Sequence, residues 1–273
     1  MKNYSVLMSV YCKEQIEFLR QSVESVFSQT VQTDDFVLVC DGPLTDELDG
    51  LVAELKEKYS PILNVVRLKK NVGLGPALNE GIKHCKNKLV ARMDSDDSAP
   101  EYRFELQLQK FIENNELAIV GGAVEEFEGS TDNILSRKSM PEKHEQIVDY
   151  AKTRCPFNHP TVMYKKDAVL KVGGYPNLPL HEDYGLWVAL LMDGVQSYNL
   201  PQTLCYMRVD GGLYERRGGF KYFRTAAKFR IYMHRVGFSS FIQMLYGVCA
   251  LAVVCLVPTS LRKLIYRAAL RDK

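Results

Sequence analysis

Apolar residues along the chain fall into short runs that alternate with stretches of helical spacing. Residues 4–10 form an apolar run that predicts a first strand, and residues 17–29 carry Phe18, Leu19, Val23, Val26 and Phe27 on one helix face. The pattern then repeats. A buried strand over 36–40 is closed by the turn Asp41-Gly42-Pro43 and followed by a helix over 48–59, a strand over 62–68, a helix over 77–84 and a strand over 89–93. Strands alternating with helices in this way predict βαβ units and hence an α/β fold with a mainly parallel sheet flanked by helices. The carboxyl ends of such strands share one edge, where a nucleotide-sized crevice is expected.

Beyond that point the spacing predicts a helix over 102–114 and a strand over 118–127, interrupted by Gly121-Gly122. A polar surface excursion over 128–145 follows, then a turn at Gly173-Gly174-Tyr175 and an edge strand over 201–209. Residues 236–261 contain no charge at all. That stretch is about long enough to cross a bilayer core, and with its basic flanks it equally suits a helix lying on an anionic leaflet; a buried hairpin closing the core is the third placement. An amphipathic pattern over 261–270 continues it.

Composition narrows the choice. With 273 residues, 46% hydrophobic and 25% charged, the chain is long enough for a substantial core and too apolar for disorder. The net charge of +2 hides an asymmetry. From Tyr214 onward twelve Lys or Arg face two acids, a surplus of ten, which leaves −8 on the first 213 residues. A basic tail suits nucleic acid or an anionic membrane, and its apolar content selects the membrane, so no nucleic-acid partner is expected. Seven scattered cysteines with no CxxC pair suggest reduced thiols and argue against a structural zinc site. The first residues lack a signal-peptide pattern, so a cytoplasmic protein is expected, peripheral or single-pass at the inner face of the membrane.

Candidate chemistry gathers at the predicted strand ends: Tyr11 after the first strand, Asp41 after the second, Asn71 and Gly73 after the third. The fourth strand runs directly into Asp94-Ser-Asp-Asp97. Asp94 and Asp96, separated by one residue in a turn, can converge on a hard cation such as Mg²⁺ or Mn²⁺; alternatively these acids cap the helix beginning near Pro100. Gly73-Leu-Gly75 either contacts phosphate or simply permits a tight turn. A second acidic pair, Glu182 and Asp183, opens an apolar helix, where it serves either the helix dipole or general-base chemistry. Arg208, Arg216 and Arg217 are candidates for neutralising a diphosphate, against a solvated-surface role. His159 suits a structural position.

These residues resemble the inverting glycosyltransferases of family 2, which have the GT-A (Rossmann-like) fold, and the resemblance covers nearly all of positions 4–217. Asp94-Ser-Asp-Asp97 matches the DxD motif, and His181-Glu-Asp-Tyr-Gly-Leu-Trp187 the Glu-Asp motif. Asn71-Val-Gly-Leu-Gly-Pro-Ala-Leu-Asn-Glu-Gly81 is similar to the Asn-x-Gly, Ala-x-Asn, Gly loop. Two departures stand out. Ser9-Val-Tyr-Cys12 replaces Pro-Val-Tyr-Asn, and Cys40-Asp-Gly-Pro43 replaces Asp-Asp-Gly-Ser. The resemblance implies one domain with a nucleotide-binding half over 1–98, an acceptor-binding and catalytic half over 99–218, and a helical extension over 219–273. It also implies that Tyr11 and Asp41 contact the nucleobase, Asp94 the ribose or metal, and Asp96 a Mn²⁺ or Mg²⁺ on the diphosphate, with Asp183 as base. The implied substrates are a nucleotide-sugar, with UDP expected, and a glycan or lipid-linked acceptor. A nucleotidyltransferase and a non-catalytic nucleotide-sugar-binding protein are the alternatives.

Overall fold

The computed structural model describes residues 3–209 and 219–257. Strands β1 (Tyr4–Val10), β2 (Asp35–Cys40), β3 (Leu63–Arg67) and β4 (Leu89–Asp94) pair in parallel in the order β3-β2-β1-β4. They are joined by helices α1 (Ile16–Phe27), α2 (Asp46–Lys58) and α3 (Leu74–His84). β1 and β2 are apolar on both faces because each face meets a helix layer. Val6, Met8, Phe36 and Leu38 pack on one side with Leu19 and Val23 of α1, while Leu7, Val37 and Val39 pack on the other with Ala77 and Ile82 of α3.

The rest of the chain extends the same sheet. After α4 (Arg103–Glu113) come β5 (Leu117–Phe127), β6 (Ile134–Lys138), α5 (His144–Ala151), β7 (Met163–Lys165), α6 (Lys166–Lys171), α7 (Glu182–Met192) and β8 (Gln196–Arg208). β7 runs antiparallel between β4 and β5, β6 is antiparallel to the end of β5, and β8 is parallel to β5 along its length. The result is an eight-stranded, mainly parallel sheet shared by both predicted halves.

Four sequence expectations change. Gly121-Gly122 does not interrupt the strand; β5 is continuous, and the glycines admit the side chains of Asn199 and Leu204, which a Cβ at either position would strike. The polar stretch over 128–145 is not wholly an excursion, since it carries β6, and the edge strand starts at Gln196 rather than Pro201. The acids do not cap the following helix: α4 begins only at Arg103, and its N-cap residue, Tyr102, provides no side-chain cap.

The extension forms α8 (Gly219–Arg235) and α9 (Phe241–Leu256). α8 docks on the start of α7. Phe229 stacks on His181 with ring centroids 4.6 Å apart, and Arg230 Nη1 donates to the Tyr184 hydroxyl at 2.9 Å. α9 starts with a capping box between Ser240 and Gln243, and it turns Phe241, Ile242, Leu245, Tyr246 and Val253 outward. Among the described residues no helix is long and apolar enough to cross a membrane. The sixteen residues of α9 rise about 24 Å, short of a bilayer core of roughly 30 Å. A fully buried hairpin is not formed either, because Ile242 is 77% exposed. The amphipathic pattern over 261–270 lies outside the described residues.

Candidate active site

β4 delivers three carboxylates to the carboxyl edge of the sheet. Oxygens of Asp94, Asp96 and Asp97 lie within 4.8 Å of one another. Their surroundings divide them. Asp97 is buried and held by β8: Oδ1 accepts from the Arg208 amide at 2.9 Å and Oδ2 from the Cys205 thiol at 3.5 Å. Asp94 accepts a hydrogen bond from the Arg92 guanidinium on Oδ1, which leaves Oδ2 for a ligand. Asp96 is partly exposed, and among the described residues no other side chain donates to its carboxylate. Burial, with the charges of Asp94 and Glu14 nearby, pushes its carboxyl up to about 7. Converging oxygen donors that repel one another suit a hard divalent cation, so this donor set fits Mn²⁺ or Mg²⁺, with Asp96 and Asp94 as the residues that would hold it.

Because both oxygens of Asp97 join the turn to β8, Asp97→Ala is expected to act on stability more than on cation affinity. Losing those bonds costs about 1–3 kcal/mol, measured as a lowered melting temperature, while Mn²⁺ affinity changes little.

The residues expected to meet the nucleotide lie over β1 and β2. Tyr11 is 43% exposed just past β1. Asp41, at the end of β2, organises the next loop: Oδ1 accepts from the Val72 amide at 2.7 Å and Oδ2 from the Gly73 amide at 3.0 Å, while Asn71 Nδ2 donates to the Asp41 carbonyl at 3.2 Å. Gly42 has φ +90°, and a Cβ there would meet the Asn71 backbone nitrogen at 2.5 Å, so the turn after Asp41 needs glycine. Asp41, Asn71 and Gly73 therefore form one unit in which Asp41 shapes the loop. Cys40 points into the core and its thiol is pushed up to about 11 by burial, so it does not reach the crevice.

Gly73 leads into α3, which carries the chain to the second acidic pair. Gly75 packs against Glu182, where a Cβ would come within 3.1 Å of Glu182 Cγ. Asn79 of α3 holds both backbone groups of Tyr175, by bonds of 2.7 and 2.8 Å. Asp183 follows in the first turn of α7, with the Cys155 thiol donating to Oδ2 at 3.7 Å. Burial raises its pKa, and the positive charges of Arg92 and Lys138 act against that shift. Glu182 is raised as well, again by burial first. A carboxylate poised upward in this way suits a general base.

Arg208 is placed beside the carboxylate cluster and is braced by the scaffold. Its guanidinium lies between Phe18 and Phe127, 3.9 and 4.6 Å from the ring centroids, and donates to the Asp96 carbonyl at 3.1 Å, the Gly129 carbonyl at 3.2 Å and Gln21 Oε1 at 2.8 Å. It fixes the turn that presents Asp96. Arg216 and Arg217 lie outside the described residues. His159 is half-buried and shares a 3.0 Å hydrogen bond with the Tyr175 hydroxyl, a structural position. A cavity of about 740 Å³ opens behind the turn, between Gln21, Tyr102, Tyr206 and Arg208; neither Asp96 nor Asp183 lines it.

Two residues at the site were not among the sequence candidates. Glu14 accepts from the Ser95 hydroxyl and adds a fourth carboxylate near Asp96. Arg92 is the other, and its signal was present: a lone charge inside the apolar strand 89–93.

Comparison with known proteins bears on the family and the fold. Residues 5–173 match the model of the family described as Glycosyl transferase family 2. The chain is 40% identical to an uncharacterized glycosyltransferase of Haemophilus influenzae, over 98% of this chain and 99% of the relative. It is 36% identical to UDP-Gal:alpha-D-GlcNAc-diphosphoundecaprenol beta-1,3-galactosyltransferase of Escherichia coli, over 98% of this chain and 96% of the relative. Among solved structures, the mannosyltransferase PcManGT of Pyrobaculum calidifontis, in complex with GDP-Man and Mn²⁺, superposes with a TM-score of 0.65 at 15% identity, covering 98% of this chain and 79% of that one. That likeness concerns the fold.

Proposed function

This chain belongs to glycosyltransferase family 2, and from that premise we propose that it moves a sugar from a UDP-sugar to a hydroxyl of a lipid-linked saccharide, with inversion, in polysaccharide or glycolipid synthesis. The observation that carries the proposal is the placing of two acidic motifs on one face of the sheet. Asp94 ends β4 with Asp96 in the turn after it, Glu182 and Asp183 begin α7, and α7 packs through Leu186 and Trp187 on the face of β4 that carries Val90 and Asp94, with Arg92 between those two in the strand. Membership of the family displaces the nucleotidyltransferase alternative. The named substrates of the E. coli relative support a UDP-sugar donor and a diphosphoundecaprenol-linked acceptor.

In this reading Tyr11 and the Asp41–Asn71–Gly73 unit receive the nucleotide, and Asp94 and Asp96 hold the cation. When bound, that cation supplies charge stabilisation to the nucleoside diphosphate as it leaves. Asp183 takes the proton from the acceptor hydroxyl as its oxygen attacks the anomeric carbon opposite the leaving group. No covalent sugar intermediate forms, so a single carboxylate on the acceptor side is enough. Arg208 supports Asp96 from behind. The test is UDP release from a panel of UDP-sugars in the presence of lipid-diphosphate-linked acceptors, with mass analysis of the product. Sugar transfer to the lipid is expected; donor binding with no turnover on any acceptor favours the non-catalytic alternative.

The hairpin of α8 and α9 suits a peripheral position on the inner leaflet. From 219 to 257 the chain holds five Lys or Arg and no acid, and α9 turns an apolar stripe outward. The full-length protein is expected to co-sediment with vesicles containing phosphatidylglycerol, less so at high salt, and to lose binding when Ile242 and Tyr246 are replaced by Glu. Equal recovery in the supernatant with neutral and anionic vesicles contradicts this.

A further inference from the structure

Arg92 occupies a costly position. It is 1% exposed, in a strand whose neighbours Ala91 and Met93 are fully buried. Its main chain is fixed from both sides, the amide donating to the Val162 carbonyl at 2.9 Å and the carbonyl accepting from Arg103 Nη2 at 2.6 Å. Its side chain is not comparably satisfied. Nη2 donates to Asp94, but Nε and Nη1 have no hydrogen-bond partner among the described residues. A buried, half-bonded guanidinium is poor scaffolding, since an apolar residue of similar volume usually serves a core as well or better. Packing therefore does not account for it.

Its location does. Residues 90, 92 and 94 share one face of β4, the face that packs Val90 and Tyr164 against Trp187 of α7. From there the guanidinium acts on His159, Tyr164, Tyr175 and Asp183 as well as on Asp94. The titratable and charged groups around Asp183 are Arg92 on β4, Lys138 on β6, Cys155 and Tyr175 on the loops, Glu182 and Tyr184 on its own helix with His181 just before it, and Arg230 on α8, which packs on the start of α7 and donates to the Tyr184 hydroxyl. Three of these are cations. Of the three, Arg92 is the one that also holds Asp94.

We propose that Arg92 is a positioning residue for glycosyl transfer, resting on the reading of Asp183 as the base: it fixes the Asp94 carboxylate on the donor side and sets a positive charge on the face of β4 that is covered by α7, the helix whose first turn carries Asp183. One buried charge thus serves both acidic motifs. A cation near Asp183 favours its ionised, proton-accepting form, and burial works the other way. Removing Arg92 moves the base toward higher pH.

The experiment measures kcat against pH at saturating Mn²⁺ and UDP-sugar, so that the metal acids are occupied, and the donor KM by varying UDP-sugar at saturating Mn²⁺, for wild type, Arg92→Lys, Arg92→Met and Asp183→Asn, with melting curves alongside. In Arg92→Met the acidic limb of kcat is expected to move up by about one pH unit, with a fall in the plateau of roughly tenfold or more. In Arg92→Lys the charge remains, so the limb stays in place while the donor KM rises, because an ammonium group does not reproduce the planar contact with Asp94. An unmoved limb in Arg92→Met, with Asp183→Asn inactive, overturns the Arg92 assignment alone. Full activity in Asp183→Asn overturns the base assignment and Arg92's role with it. If Arg92→Met does not fold, Arg92→Lys decides: a raised donor KM with an unmoved limb supports the proposal, and a wild-type KM overturns it.

Discussion

Asp183→Asn is expected to lower kcat by about two to four orders of magnitude while leaving binding of UDP with Mn²⁺ nearly unchanged. The amide keeps the size of the carboxylate and can still accept from the Cys155 thiol, so the first turn of α7 should hold its shape. What it loses is the ability to take a proton. Stability provides an internal check on this substitution. The Asp183 carboxyl is raised in the folded protein by burial, so the folded state binds its proton more tightly than the unfolded one. Folding is then favoured as pH falls through that raised value, and above it the ionised group opposes folding. At neutral pH and above, Asp183→Asn is therefore expected to melt no lower than wild type. A collapse in kcat with an unchanged or higher melting temperature assigns the loss to chemistry; a lowered melting temperature would point to lost structure.

Asp96→Ala is the second large effect, and it should appear in binding. Asp97 is tied to β8 and Asp94 has one oxygen on Arg92, so Asp96 contributes the largest share of free oxygen donors at the turn. Changes outside the coordination sphere commonly lower metal affinity by roughly 10- to 100-fold, and loss of a direct ligand should exceed that. Calorimetric titration of Mn²⁺ in the presence of UDP checks it without reference to turnover. Mn²⁺ should also raise the melting temperature of wild type and not that of Asp96→Ala, because a ligand that binds only the folded state stabilises it. Equal Mn²⁺ affinity in the two proteins would remove Asp96 from the cation site.

Much of this layout was legible in the order of residues. The apolar run 36–40 has no polar face, which marks it as a strand covered on both sides, and the acids placed directly after the strands 36–40 and 89–93 belong at the sheet's carboxyl edge. Spacing also identified the two acidic motifs. It did not separate the roles of neighbouring acids. Asp96 and Asp97 are adjacent and chemically identical, yet one is partly exposed and the other is fastened to Cys205 and Arg208, residues more than a hundred positions away. Asp41 shows the same limit: its loop-shaping bonds to Val72 and Gly73 depend on how closely β2 and the loop after β3 approach. The glycines of β5 looked like a break because the tight passage of β8 against them is a tertiary fact. Docking of Phe229 on His181 likewise joins segments that no local pattern connects.

The configuration of the product tests the central claim most directly. Given an α-configured UDP-sugar that is turned over, NMR of the purified lipid-linked saccharide should show a β-linkage, because a single attack assisted by Asp183 from the face opposite the diphosphate inverts the anomeric centre. An α-linkage in that product would contradict the account.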